Sequence, residues 1–149
     1  MNYNKSIWAI CILASTSPMT LVKAADNIDQ LREQSVVLIR SGEVEQGLKQ
    51  LRNLLAQQPK NQKLIADYIV SAYAHQKLTA SDLSCLQSIN VQNFPEYAWL
   101  SVVKGQRDLK QFVAAAKWAD IYYQQSQQQQ WLVWQGVLNA EAGQTTVAK

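Results

Sequence analysis

The chain has 149 residues, 48% of them hydrophobic, with 14 Lys and Arg against 11 Asp and Glu and a formal net charge of +3; it is long enough for one domain or a short solenoid. Lys5 and Lys23 lie in a leader-like start, and without them 12 basic residues face 11 acidic ones. No basic cluster of the kind phosphate binding requires is left, which excludes nucleic acid as an expected partner.

Residues 1–24 read as a signal peptide. Lys5 gives a weakly positive start, "IWAICILA" (Ile7 to Ala14) is a short apolar run, and "VKA" (Val22 to Ala24) ends like a cleavage site. Eight apolar residues are too few to cross a bilayer, so export to the periplasm is expected, with residues 25–149 as the mature chain. Cys11 leaves with the signal and Cys85 stays alone, so the exported chain has no intramolecular disulfide and is held by packing.

Glycine and proline are scarce and the periodicity is helical throughout, predicting an all-α fold. A first helix is expected from Ile28, capped by Asp26 or Asn27, with Leu31, Val37 and Leu38, and Gln34 at its margin, on its apolar face. Gly42 ends it. The second helix starts near Glu43, carries Val44, Leu48, Leu51, Leu54 and Leu55 at helical spacing, and stops before Pro59. Counted from Ile28, Leu31, Leu38, Gly47, Leu51 and Pro59 fall at positions 4, 11, 20, 24 and 32. That pattern resembles a tetratricopeptide hairpin, in which a small residue lets two helices approach and Pro turns the chain into the next pair.

The second pair is "NQKLIADYIVSAYAHQ" followed by a short helix in "TASDLSCLQSI", which Thr79 or Ser81 can cap. A third pair follows within residues 90–124, with its turn at "KGQRD". "QQSQQQQ" (Gln124 to Gln130) reads as an exposed connection. A fourth pair opens near Gln130, with Gly136 and Ala148 at its positions 8 and 20. "SGEVEQGL" (Ser41 to Leu48) and "AGQTTVAK" (Ala142 to Lys149) echo each other 101 residues apart, close to three periods of about 34. Hinges are expected at Gly42, Gln76, Gly105 and Gly143, at uneven intervals of 34, 29 and 38. The expected fold is therefore a short solenoid of about three and a half degenerate tetratricopeptide-like hairpins, the last incomplete. An incomplete last pair predicts fraying at the end, a partly uncovered apolar face over Trp131 to Ala142, and either self-association or marginal stability.

No nucleophile motif and no glycine-rich phosphate loop occurs. One His and one Cys cannot close a zinc shell, so neither metal nor cofactor is expected, and an enzyme is not expected. Cys85 sits among apolar residues and reads as a buried thiol; His75 reads as a polar helix-end residue. The aromatic residues read chiefly as knobs between helices, with stacking on a sugar as the functional alternative. Projecting the first helix of each pair onto the concave face gives Asp29, Arg32, Val36 and Ile39, then Lys63, Ala66, Val70 and Tyr73. Asp29, Arg32, Lys63 and Tyr73 are the candidate groove contacts, although a solvated face accounts for the same charges.

The signal peptide followed by "LREQSVVLIRSGEVEQGLKQLRNLL", "NQKLIADYIVSAYAHQK" and "WLVWQGVLNAEAGQTTVA" resembles the periplasmic amino-terminal region of the outer-membrane exporter of poly-β-1,6-N-acetylglucosamine. In that family degenerate tetratricopeptide repeats precede a membrane β-barrel. The resemblance implies a role in exporting a biofilm polysaccharide, with the partly deacetylated polymer and a periplasmic deacetylase as partners. No amphipathic strands for a barrel occur in these residues, and no ligand-binding residue is transferred. A general periplasmic scaffold for envelope complexes is the alternative.

Overall fold

A computed structural model describes residues 18–143, with side chains described from residue 27 onward. The apolar run Ile7 to Ala14 and the stretch from Gln144 to Lys149, Ala148 included, lie outside the described residues. Those described form six α-helices, joined by short connections except between α3 and α4: α1 (Pro18–Arg40), α2 (Val44–Gln57), α3 (Gln62–Ala74), α4 (Trp99–Asp108), α5 (Phe112–Ser126) and α6 (Gln129–Glu141). Two 3-10 segments, Asp82–Ser88 and Glu96–Ala98, lie between α3 and α4. No strand occurs among the described residues, and no described helix is long and apolar enough to cross a membrane. Helices adjacent in sequence pack on one another, α1 on α2 and α5 on α6 most extensively, as short connections require.

The start of α1 differs from expectation. Asp26 and Asn27 do not cap it, because it begins at Pro18, a residue whose fixed φ suits a first helical turn, and nothing from Leu21 to Ala25 breaks it. The expected cleavage point after Ala24 therefore falls inside a helix. The buried face of α1 also differs: Ser35 and Ile39 are buried, whereas Leu31 and Val37 are exposed. The cause is Gly47 on α2. A Cβ there would lie 2.6 Å from the Ser35 carbonyl oxygen and 2.5 Å from Ile39 Cγ1, so the two helices meet backbone to side chain around Gly47, Ser35 and Ile39. The Ser35 hydroxyl is satisfied at the contact, donating to the Leu31 carbonyl at 2.7 Å with the Gln50 side-chain amide 3.1 Å away.

α2 buries Gly47, Leu48, Leu51 and Leu54 and stops before Pro59, as its spacing predicts. α3 has two apolar faces rather than one. Leu64, Tyr68 and Ala72 pack with α1 and α2, whereas Ile65, Ala66 and Ile69 belong to the larger core built with α4, α5 and α6. At the centre of that larger core Trp99 stacks on Tyr122, centroids 4.5 Å apart and planes 4° from parallel, with Trp131 against both. For these side chains, as for Tyr68, core packing is the role.

"TASDLSCLQSI" winds as a 3-10 segment that buries Leu83 and Leu86, an i, i+3 pair that suits three residues per turn. Thr79 rather than Ser81 fastens its start. The Asp82 amide donates to Thr79 Oγ1 at 3.3 Å, and Thr79 returns its amide and hydroxyl to Asp82 Oδ2 at 2.9 and 2.7 Å, a reciprocal box.

The third turn is not at "KGQRD". Gly105 lies buried within α4, where a Cβ would come 2.5 Å from Leu78 Cδ2, so it serves packing. The turn falls at Lys110, whose φ is +61°. With that shift the hinges become even. Gly42, Gln76, Lys110 and Gly143 all have positive φ (99°, 55°, 61° and 76°), and the intervals between successive hinges are almost equal. At each, the amide donates to the carbonyl three residues earlier; at the first three, the following amide reaches five residues back, Glu43 to Leu38, Lys77 to Ala72 and Gln111 to Gln106, at 2.8 to 2.9 Å. This is the Schellman arrangement of a helix C-terminus. "QQSQQQQ" is exposed apart from half-buried Ser126, as expected, but most of it is helical: only Gln127, at φ +56°, and Gln128 separate α5 from α6.

Candidate functional site

Because α1 and α3 each precede a hinge and α2 packs against both, the two lie side by side with an open groove of about 700 Å³ between them. Val36 and Ile39 from α1 and Val70 from α3 give it an aliphatic lining, as projected; Arg32, Asp67 and Tyr97 form a polar cluster at its wall. Arg32 donates to Asp29 Oδ1 at 3.3 Å and makes a short charged bond to Asp67 Oδ2. The Tyr97 hydroxyl donates to the other oxygen, Asp67 Oδ1, at 2.5 Å. Asp67 thus ties three chain segments together.

The electrostatics follow from these bonds. Partial burial pulls the Arg32 guanidinium down, but the bonds to Asp67 and Asp29 outweigh it and the group stays firmly cationic. The Tyr97 phenol is raised by burial around its hydroxyl and then by the bond to Asp67, so it remains a neutral donor. The residue nevertheless stays 57% exposed. The result is a tethered aromatic face beside an ion pair. Asp29, Glu33 and Asp67 bring three carboxylates to this region against the guanidiniums of Arg32 and Arg40.

The structure brings Asp29 and Arg32 together and leaves the other two expected contacts elsewhere. Lys63 stands near the start of α3, apart from the groove lining. Tyr73 turns toward α4, lining a separate cavity of about 530 Å³ with Leu78, Gly105 and Asp108, because bare Gly105 admits Leu78 there. Ser71 and Ala74 take its place in the groove. Asp67 and Tyr97 are not singled out by the projection, and only Asp67 carries a readable signal. It stands one hinge interval after Glu33, so neighbouring first helices present the two acids at equivalent places.

A second polar cluster is structural. Arg52 on α2 donates to the Tyr68 hydroxyl at 2.7 Å, and that hydroxyl donates to Asp82 Oδ1 at 2.5 Å, clamping the 3-10 segment onto α2 and α3. Cys85 lies beside it, donating to the Asp82 carbonyl at 2.9 Å. Burial and then the Asp82 charge push its thiol up to about 11, which leaves it unreactive. Among the described residues no group of three or more His, Cys, Asp or Glu is placed to hold a metal.

No family model matches the chain, and neither a curated protein nor a solved structure matches it. What the fold and groove define is therefore an all-α protein with an open, partly charged groove between α1 and α3.

Proposed function

We propose that this chain is a periplasmic helical-repeat interaction module of a biofilm polysaccharide export apparatus, associated with the outer membrane and binding a poly-N-acetylglucosamine-type polymer, a deacetylase partner, or both. The even spacing of the hinges supports tetratricopeptide-type repeats, whose period is about 34 residues, and in such arrays the first helices line the binding face. The observation that carries the ligand class is the Arg32–Asp67–Tyr97 cluster. A fixed aromatic face suits the apolar side of a pyranose ring, and neighbouring carboxylates suit the ammonium groups of deacetylated units.

Calorimetric titration with glucosamine oligomers tests this. Heat of binding is expected for the wild-type chain and its loss for Tyr97→Ala; absence of binding at millimolar oligomer overturns the assignment. The general scaffold reading draws on a different observation, the exposed Leu132, Val133 and Val137 on α6, and predicts capture of envelope proteins unrelated to polymer export, with no response to oligomers.

A further inference from the structure

Ser35, Ile69, Val103 and Gly136 stand at the same step, two helical turns before the hinges Gly42, Gln76, Lys110 and Gly143. The first three are fully buried, and at Ser35 the cover is α2, whose Gly47 sits against the Ser35 carbonyl. Gly136 differs: a Cβ there would meet nothing within 4 Å. α6 leaves open the position that α1, α3 and α4 close by packing.

The residues around Gly136 have the shape that a second helix needs. Leu132, Gly136 and Ala140 follow one another at i, i+4 spacing and form a row along one side of α6, with Val133 and Val137 in the adjoining row. Leu132, Val133, Val137 and Ala140 are all exposed. The two small residues make a shallow trough between larger aliphatic ones. Glycine within a helix lowers its stability, a loss that close approach of another backbone offsets.

Charge selects the occupant. α6 contains no Lys or Arg, and its one acid, Glu141, is held by the Arg107 guanidinium at 2.8 Å. Such a face offers nothing to a strongly acidic or basic partner, whereas two copies of it meet without repulsion. We propose that two copies of this chain pair through α6, antiparallel about a two-fold axis at Gly136. In that arrangement each Gly136 admits the backbone of the other helix, Leu132 of one copy falls over Ala140 of the other, and the opposed helix dipoles are favourable. None of these residues lines the groove between α1 and α3, so pairing is independent of what that groove binds.

Sedimentation equilibrium of the 149-residue chain and its Gly136→Leu variant tests this. The wild type is expected to form a dimer and no larger species, because a two-fold contact closes on itself. The variant, whose new side chain meets open space in the monomer, should keep its helicity and dimerise about tenfold or more weakly, since the side chain overpacks the crossing. The same leucine enlarges the apolar surface, so unspecific association would strengthen instead, and that result overturns the proposal. With Cys11→Ser and Cys85→Ser in place, Gly136→Cys is expected to cross-link to its own copy under a mild oxidant, the two positions being within disulfide reach at the axis. Absence of that cross-link overturns the pairing. So does a wild-type chain that stays monomeric, with α6 covered by residues 144–149 or by another protein.

Discussion

Gln76 and Lys110, one hinge interval apart, hold the same left-handed backbone, with φ of +55° and +61°, and each closes the same pair of carbonyl bonds at the end of its helix. Gly42 does this work at the first hinge without the steric penalty that a Cβ brings to the left-handed region. Lys110→Gly is therefore expected to stabilise the fold by about 1 kcal/mol, with Gln76→Gly behaving alike. Urea melts measure it. A loss of stability in both variants would contradict a hinge at these positions.

Gly42, Pro59 and Gly143 announce turns by their own chemistry, and the spacing of Leu48, Leu51 and Leu54 announces the buried face of α2. Lys110 announces nothing, so the pattern draws the turn to Gly105, which the fold uses to seat Leu78. Ser35 escapes notice because it is polar, yet its hydroxyl finds the Leu31 carbonyl and the residue packs fully buried like a small apolar one. Of the four expected contacts, Arg32 lines the groove and Asp29 is bonded to it. The tethering partners, Asp67 and Tyr97, lie far from Arg32 along the chain, beyond the reach of local periodicity. Tyr97 is exposed while its hydroxyl is held by Asp67, a pairing that only the folded chain creates.

The Tyr68–Asp82 bond makes stability depend on pH. Burial alone would raise the Asp82 carboxyl, but hydrogen bonds from Tyr68 and Thr79 and the Arg52 charge hold it below its ordinary value of 3.8. The unfolded chain therefore takes up this proton at higher pH than the folded one. The contribution is fully present above pH about 4 and is lost as pH falls through the lower, folded value. Asp82→Asn should cost about 1–2 kcal/mol at neutral pH and flatten the acid limb of a stability-versus-pH curve. An unchanged acid limb would show that the clamp does not matter.

Tyr122 is fully buried in the aromatic core, and its hydroxyl has no partner among the described residues. Burial alone raises its phenol. Tyr122→Phe keeps the stack on Trp99 and removes an unpaired polar atom, so it should be neutral or stabilising by about 1 kcal/mol. A thermal melt showing destabilisation would reveal a partner for that hydroxyl.

On α6, Val133 is 67% exposed with Leu132 and Val137 beside it, and a Cβ on Gly136 would meet nothing within 4 Å. An apolar face of this kind favours association. Sedimentation of the 149-residue chain should show concentration-dependent self-association, reduced in a Leu132→Gln, Val133→Gln, Val137→Gln variant that keeps its helicity. A wild-type chain that stays monomeric across the concentration range would contradict this.

If the groove between α1 and α3 is the polymer-binding face proposed for it, backbone amide shifts on titration with glucosamine oligomers map to that groove. Saturable shifts concentrated on Arg32, Val36, Val70 and Tyr97 are expected, abolished in Tyr97→Ala while the spectrum otherwise remains that of the folded chain. Shifts scattered over the surface, or none at millimolar oligomer, would contradict it.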